Sequence, residues 1–430
     1  MTANGTSAPE PGPMLAPIVQ ELQLMIENND ELMKLFEKAF QEIPENFQEA
    51  PDAFGFPRIR DHRGFIQAID RGLKSVPPWT STSRSDCVIG CPINEALIWF
   101  MNTRTGAEIL GRPDVNTLLG EVLKQWAVFL SSGDSLSTLT EDEGNWLSVA
   151  AIEELLHSVN TAHNAPFAVP SLEQAFICDP SLPAYGFPSW DAFFTRLFAP
   201  GLRPVASASD VSVIVNPCES HPFALATAVP AEQPFSLKGT TYPFRAMLGG
   251  HDDDAVAARF HRGTVLQGWL SLLNYHRWHA PVAGTVVKVA HVDGTYFVAD
   301  PAHGFEHRDE ATGDPSPDRQ APDASQRLIS SIATREVVVI EADDARIGCV
   351  GFVAIGMADV SGCVASVREG ERVEKGQEIG CFHYGGSSYC LLFEEKAPIR
   401  FSPLVYAALE GQAEITERCI AVNSEIARVL

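Results

Sequence analysis

Apolar residues recur every three or four positions from Pro17 onward. Ile18, Leu22, Met25 and Ile26 share one face, and after an Asn28-Asn29-Asp30 cap signal Leu32, Leu35, Phe36 and Phe40 repeat it. The same rhythm runs through EALIWFMNTRTGAEIL (95–110), VNTLLGEVLKQWAVFLSS (115–132) and NWLSVAAIEELLHSV (145–159). This pattern predicts a helical domain over 17–165, preceded by a polar, proline-rich, disordered tail over 1–16. A short bridge follows at 184–205, where Ser189 caps a helix that Pro200-Gly201 stops. The periodicity then changes. VSVIVNP (211–217), GTVLQGWLSLLNY (263–275), GTVVKVAHV (284–292), TYFVAD (295–300), REVVVIEA (335–342) and CVGFVAIG (349–356) are short β-branched runs punctuated by Gly, Pro and Asp. A polar loop is expected over 302–327. The fold class is therefore α+β, with a helical N-terminal region and a β-rich domain over 166–430.

GCVASVREGERVEKGQEIGCF (362–382) reads as two alternating strands joined through turns at Glu369-Gly370 and Lys375-Gly376. That rhythm is how lipoyl- and biotinyl-type β-sandwiches are written. A carrier hairpin with its acceptor lysine is missing, so a lipoyl-like sandwich is expected without the carrier function.

Composition narrows the function classes. The 430 residues carry a net charge of −24, from 55 acidic and 31 basic side chains, and no basic run offers a nucleic-acid surface. No Lys or Arg precedes Lys34, which speaks against a secretory or transit leader, and no apolar stretch is long enough to span a bilayer. A cytoplasmic protein without a stable membrane anchor is expected. The nine cysteines are an odd number, and the pair at Cys87 and Cys91 lacks a second pair to complete a zinc site, so reduced thiols and no metal are expected.

The candidate chemistry lies in HYGGSSYC (383–390), where two glycines and two serines interrupt apolar strand patterns. A serine after a glycine has an unhindered carbonyl beside its hydroxyl. Attack of Ser387 Oγ on the Gly386 carbonyl turns the amide into an ester. β-Elimination then severs the chain and leaves dehydroalanine, which hydrolyses to an N-terminal pyruvoyl group. Such a ketone forms a Schiff base with an amine and acts as an electron sink without pyridoxal phosphate. The step needs a base, a group to orient it and donors for the oxyanion. NYHRWHAPVAGT (274–285) offers His276 and His279 as bases, which alternation along a strand would place on opposite faces unless the backbone turns there. Glu219, just after the strand ending in Asn216-Pro217, is a candidate orienting carboxylate.

Taken in order, FPSWDAFFTRLFAPGLRPV, PCES, GTVLQGWLSLLNYHRWHAPVAGTV, DGTYF, GFVAIGMADVSGC, VEKGQEIGCFHYGGSS and VNSEIA resemble the phosphatidylserine decarboxylase family over 184–430. MNTRTG and WAVFLSSGDS in the helical half are similar to its soluble fungal branch, which includes an L-tryptophan decarboxylase. The resemblance implies that Ser387 is the self-cleavage nucleophile and the source of the pyruvoyl cofactor. It places Gly386 at the end of the larger chain, so 1–386 and 387–430 remain associated. His279 matches the base that activates the serine, and His276 matches a residue near the substrate. Glu219 falls where phospholipid-specific members carry Asp, Ser388 replaces Thr, and Asn274 stands where bacterial members carry Asp.

The acidic flanks favour a small soluble substrate over a phospholipid, whose phosphate finds only Arg277 and Lys288 near the motifs. Trp278, Tyr296, Phe297 and Tyr389 are the candidate walls for an aromatic amino acid, tryptophan first. A phosphatidylserine decarboxylase is the alternative enzyme, and a non-catalytic lipoyl-like module the alternative of a different class.

Overall fold

The computed structural model describes residues 15–49, 51–52, 54–79, 91–229, 244–250, 255–297, 299–309, 311–318, 325–359, 362–384, 387–411 and 419–430. The tail expected over 1–16 lies almost wholly outside them, as do Cys87 and the Gly385-Gly386 pair.

Among the described residues, seven α-helices fill the N-terminal region as the apolar spacing predicts: α1 (Pro17–Glu27), α2 (Asp30–Gln41), α3 (His62–Gly72), α4 (Pro92–Met101), α5 (Arg104–Leu110), α6 (Pro113–Leu130) and α7 (Val149–Thr161). Their ends are written locally. Asn29, Asp61, Thr103 and Ser148 each cap a helix by accepting a first-turn N–H, while prolines open α1, α4 and α6. Val19, Leu22, Ile26, Phe36 and Phe65 are buried in one cluster with Phe100 and Trp126.

The strands are β1 (Val213–Val215), β2 (His221–Ala226), β3 (Thr264–Leu270), β4 (Arg277–His279), β5 (Gly284–Val292), β6 (Arg335–Ala342) and β7 (Cys349–Gly356). They continue with β8 (Gly362–Ala365), β9 (Arg372–Val373), β10 (Glu378–His383), β11 (Ser387–Phe393), β12 (Ile399–Phe401) and β13 (Glu425–Val429). The main sheet has seven strands in the order β2-β3-β11-β7-β6-β5-β9, and two three-stranded sheets run β4-β10-β8 and β1-β13-β12. Every pairing in them is antiparallel.

The main sheet is covered on both faces, which is why β7 and the centre of β6 (337–340) read as unbroken apolar runs. Val337, Val339, Val353, Ile355, Cys390 and Leu392 join the core shared with the helices. Val338, Ile340, Phe352, Ala354, Leu391 and Phe393 alternate into a second core, closed by residues of the two smaller sheets. The first core runs from Val19 to Val422, so the helical region and the main sheet are packed as one body of side chains.

The expected turns at Gly370 and Gly376 are present, each glycine holding a left-handed φ of +82° and +80°. The strands around them divide between sheets: β8 and β10 pair with each other, whereas β9 pairs with β5. The described residues of TYFVAD form no strand beyond a single bridge between Thr295 and Ala333. None of the eight described cysteines is disulfide-bonded.

Candidate active site

β11 starts at Ser387, which is paired with Leu270 of β3 on one side and Gly356 of β7 on the other. Central strands on both sides thus fix the backbone of the residue at which the chemistry was expected. Beyond Leu270 the chain turns back sharply. Ser271 N–H donates to Asn274 Oδ1 at 2.8 Å and Asn274 N–H donates to the Ser271 carbonyl at 3.0 Å, while the Asn274 amide also reaches Ser158 Oγ at 3.2 Å. Asn274 acts here as both acceptor and donor, which a carboxylate could not do. The buried Arg196 guanidinium clamps the same turn through the Leu273 and Asn274 carbonyls at 2.7 and 3.1 Å.

This turn delivers His276. Its Nε2 lies 3.1 Å from the Ser271 carbonyl, one residue beyond the β3 partner of Ser387, so Nε2 carries the proton. The ring stacks on Phe194 at 3.9 Å and is fully buried. Burial, then the Arg196 charge, lowers its pKa to about 3, so the imidazole is neutral. Nδ1 keeps its lone pair and has no hydrogen-bond partner among the described residues.

His279 is held differently. Nδ1 donates to the Gly376 carbonyl at 2.7 Å, and Nε2 accepts from the Tyr275 hydroxyl at 3.0 Å. Burial lowers its pKa, against the opposing pull of the Gly376 carbonyl. Gly376 is confined as well: a Cβ there would meet Val205 at 2.3 Å. The backbone N–H of His279 donates to the Pro217 carbonyl at 2.8 Å, which draws the Asn-Pro-Cys-Glu-Ser loop alongside.

Glu219, however, does not orient His279 by hydrogen bonding. It is buried against Arg203, whose Nη2 approaches to 2.5 Å and whose Nε reaches both carboxylate oxygens at 3.1 and 3.2 Å, and it accepts the Val422 N–H at 2.8 Å. A buried carboxylate takes the strongest donors within reach, and a guanidinium outcompetes a neutral imidazole. The Gly376 carbonyl does the orienting instead. Glu219 still acts on His279 through space, its charge favouring the protonated ring.

A cavity of about 140 Å³ lies at the far end of β10, where His383 and Tyr384 precede the Gly-Gly-Ser-Ser step, and α6 forms its opposite wall. Trp126 from α6 meets Tyr384 edge-on at 4.9 Å, and Tyr384 meets Trp190 at 4.5 Å. Asp191 holds the His383 imidazole at 2.9 Å, and this contact, followed by that with Cys381, raises the His383 pKa to about 10. Asp359 also lines the cavity and is buried. Desolvation lifts its carboxyl from 3.8 to about 7.

Of the four expected aromatic walls, Tyr296 lines this cavity, seated where Gly120 leaves room: a Cβ on Gly120 would meet its hydroxyl at 2.6 Å. The other three face elsewhere. Trp278 is buried in the second core between Phe382 and Phe352, over the glycine at 380. Tyr389 lies in that core too, its hydroxyl bonded to Asn216 and Ser220 at 3.0 and 2.9 Å, and Phe297 is buried in the first core. Strand alternation sends Trp278 and Tyr389 away from the cavity.

Ser387 and His276 are thus brought to one strand end, while His279 and Glu219 lie along the β4 side with their polar atoms already engaged. The Ser387 side chain and Gly386 lie outside the described residues. Ser388 is fully buried and its hydroxyl has no partner among those residues. Asp359, His383, Tyr384, Asp191 and Trp126 were not singled out from the sequence, although they fall within GFVAIGMADVSGC, HYGGSS, FPSWDAFF and WAVFLSSGDS. Among the described residues no cluster of three His, Cys, Asp or Glu side chains is arranged to hold a metal ion, and no helix is long and apolar enough to cross a membrane.

A family model described as phosphatidylserine decarboxylase matches residues 190–408, just over half of the chain, and a second phosphatidylserine decarboxylase model matches residues 16–155. The chain belongs to the phosphatidylserine decarboxylase family. Within it, the chain is 38% identical over 343 residues to decarboxylase iboD of Amanita muscaria, covering 79% of this chain and 91% of that protein. It is 32% identical over 389 residues to L-tryptophan decarboxylase of Psilocybe cubensis, covering 87% and 79%. Phosphatidylserine decarboxylase proenzyme 3 of Schizosaccharomyces pombe is 28% identical over 213 residues, half of this chain and 19% of that protein.

Proposed function

We propose that this protein is a self-processing, pyruvoyl-dependent decarboxylase of a free aromatic L-amino acid, with tryptophan the first-choice substrate. The observation that carries the reading is the cavity beside Tyr384, only three residues along the chain from Ser387. Its walls are the rings of Trp126, Tyr384 and Tyr296 with Leu123 and Leu130, and α6 covers it. An apolar cavity of about 150 Å³ is known to hold a benzene ring, so a volume of about 140 Å³ suits one aromatic side chain. Two acyl chains would need an open apolar groove instead. The similarity to fungal L-tryptophan decarboxylases points the same way.

In this reading Ser387 attacks the Gly386 carbonyl and the resulting ester eliminates, leaving the pyruvoyl group at the head of 387–430 beside the end of 1–386. The ketone then supplies the electron sink for a primary amine, and no pyridoxal phosphate is needed. His279 keeps the base role that its motif position implies, and its proton path runs through Nε2 and the Tyr275 hydroxyl. His276, whose Nδ1 lone pair has no partner among the described residues, keeps the place near the substrate that its motif position implies. Asp191 and His383 form an ion pair at the cavity wall. The apolar rings of the wall lower the local polarity, which favours loss of a carboxylate charge. We read β8–β10 with the second core as a lipoyl-like sandwich built into the catalytic domain. The acidic surface fits a cytoplasmic enzyme acting on a soluble substrate, without nucleic acid or a lipid anchor.

The test is to purify the protein, measure intact masses, and incubate it with tryptophan, tyrosine, phenylalanine and phosphatidylserine. The reading expects two chains, the smaller blocked by pyruvoyl, and an aromatic amine whose formation phenylhydrazine stops. Turnover of phosphatidylserine alone would replace the substrate. A single uncleaved chain without activity would make the protein a binding module.

A further inference from the structure

Asp359 is not needed by any step above, yet its placement is unusual. It lies three residues beyond Gly356, the β7 partner of Ser387, past a turn at Ala358, and it lines the same cavity as Tyr384. The cavity wall is what connects Asp359 to the reacting residue, through Tyr384 three positions before Ser387. Its Oδ2 accepts the Asn94 N–H at 3.1 Å in the first turn of α4, with the Ile93 N–H and the Cys91 thiol adding to that hold. Oδ1 has no hydrogen-bond partner among the described residues, although Asp359 is only 5% exposed and lines the cavity. A buried carboxyl oxygen without a donor costs free energy, and the cavity is where a ligand would provide one.

We propose that Asp359 determines substrate specificity by accepting, at Oδ1, a hydrogen bond from a ring N–H on the substrate side chain, so that N–H-bearing heteroaromatic amino acids are selected over hydrocarbon or sulfur isosteres. The inference rests on the proposed amino acid decarboxylation. The substrate's amine is engaged at the Ser387-derived carbonyl and its carboxylate would be repelled by an acidic side chain, which leaves the ring for Asp359. Trp126, Tyr384 and Tyr296 position that ring, and the other carboxylate of the wall, Asp191, is already held by His383. Burial that disfavours the ionised carboxyl is relieved when an N–H donor arrives.

The test compares L-tryptophan with 3-(3-benzothienyl)-L-alanine, which has sulfur in place of the N–H, in the processed wild-type enzyme and in Asp359→Asn. Asparagine keeps the acceptor for the Asn94 N–H and turns the unpartnered atom from acceptor to donor. Wild type is expected to favour tryptophan in kcat/KM by about tenfold or more, the scale of one buried hydrogen bond. In Asp359→Asn the tryptophan value should fall about tenfold while the benzothienyl value stays within about twofold. A merely structural role would lower both equally. Equal wild-type use of the two substrates, or a preference for tryptophan that survives Asp359→Asn, overturns the inference. Should the variant misfold, competitive inhibition of the wild type by indole against benzothiophene decides it, indole binding about tenfold tighter if Oδ1 accepts and equally if it does not. A cleaved wild-type chain that forms no amine from either substrate overturns the proposed function itself, and amine formation separates the two failures.

Discussion

Replacing Glu219 separates a structural from a chemical role at the point where the sequence and the structure diverge. The Arg203 and Glu219 side chains are 3% and 2% exposed, and the pair ties together four segments: Arg203 also donates to the Val159 carbonyl at the end of α7, and Glu219 accepts from Val422. Removing one partner of a buried, hydrogen-bonded ion pair leaves a desolvated charge and costs about 3–5 kcal/mol. Glu219→Ala should lose that much. Glu219→Gln keeps one acceptor oxygen but sets its NH2 against either Arg203 or the Val422 N–H, so it should lose about 1–3 kcal/mol, less than the alanine variant. Arg203→Met combined with Glu219→Leu should recover most of the stability, because no charge is stranded. The assay is urea unfolding in a Ser387→Ala background, where the chain stays whole and unfolding is not complicated by two fragments. Self-cleavage is then followed by electrophoresis with Ser387 restored. Because Gly376 and not Glu219 fixes the His279 tautomer, the double variant is expected to cleave. A loss below about 1 kcal/mol in Glu219→Ala would refute the burial argument. A stable double variant that remains uncleaved would show that the Glu219 charge is required at His279.

Three further outcomes are expected. Gly120→Ala pushes a methyl toward the Tyr296 ring, so KM for the aromatic substrate should rise several-fold while self-cleavage, read by intact mass, is unchanged. His383 has a folded-state pKa raised from 6.5 to about 10, so the stability it gains from Asp191 is fully present below about pH 6.5 and is lost as pH rises through 10. The difference in urea midpoint between wild type and His383→Gln should shrink across that window. Asp359 has a folded-state pKa raised from 3.8 to about 7, which makes its ionised form the unfavourable one, so the wild-type fold loses stability as pH rises between those values. Asp359→Asn cannot ionise and should gain up to about 4 kcal/mol relative to wild type by pH 7.5, and equal pH profiles would contradict the burial of a charge there.

Local rules account for much of what was legible. α6 was written by its apolar spacing and β7 by a run buried on both faces, and the turn glycines at 370 and 376 adopt the left-handed φ that their sequence context suggested. The Tyr-His-Arg-x-His and Gly-Gly-Ser-Ser stretches carried the family resemblance, and the family models match both regions of the chain. These features depend on interactions within a few residues, so the linear order of residue types is enough to reveal them.

Which core a given face meets is another matter. Trp278 and Tyr389 looked as suitable for a substrate pocket as Tyr296, but alternation only says that neighbours point apart; the packing of the β4-β10-β8 sheet on the main sheet decides that these two rings become core. Glu219 stands sixty residues from His279, and nothing along the chain says that Arg203 will reach it first. The cavity joins Trp126 to Tyr384 and Asp191 to His383, contacts between segments far apart in sequence. Asp359 is an ordinary acidic residue in a strand-end motif until α4 covers it and withholds water. The sequence by itself determined the helices, the strands and the Gly-Ser step, because their causes are local. Burial, ion-pair partners and the walls of the cavity were decided by the tertiary structure, because desolvation depends on which distant segments come to lie on top of one another.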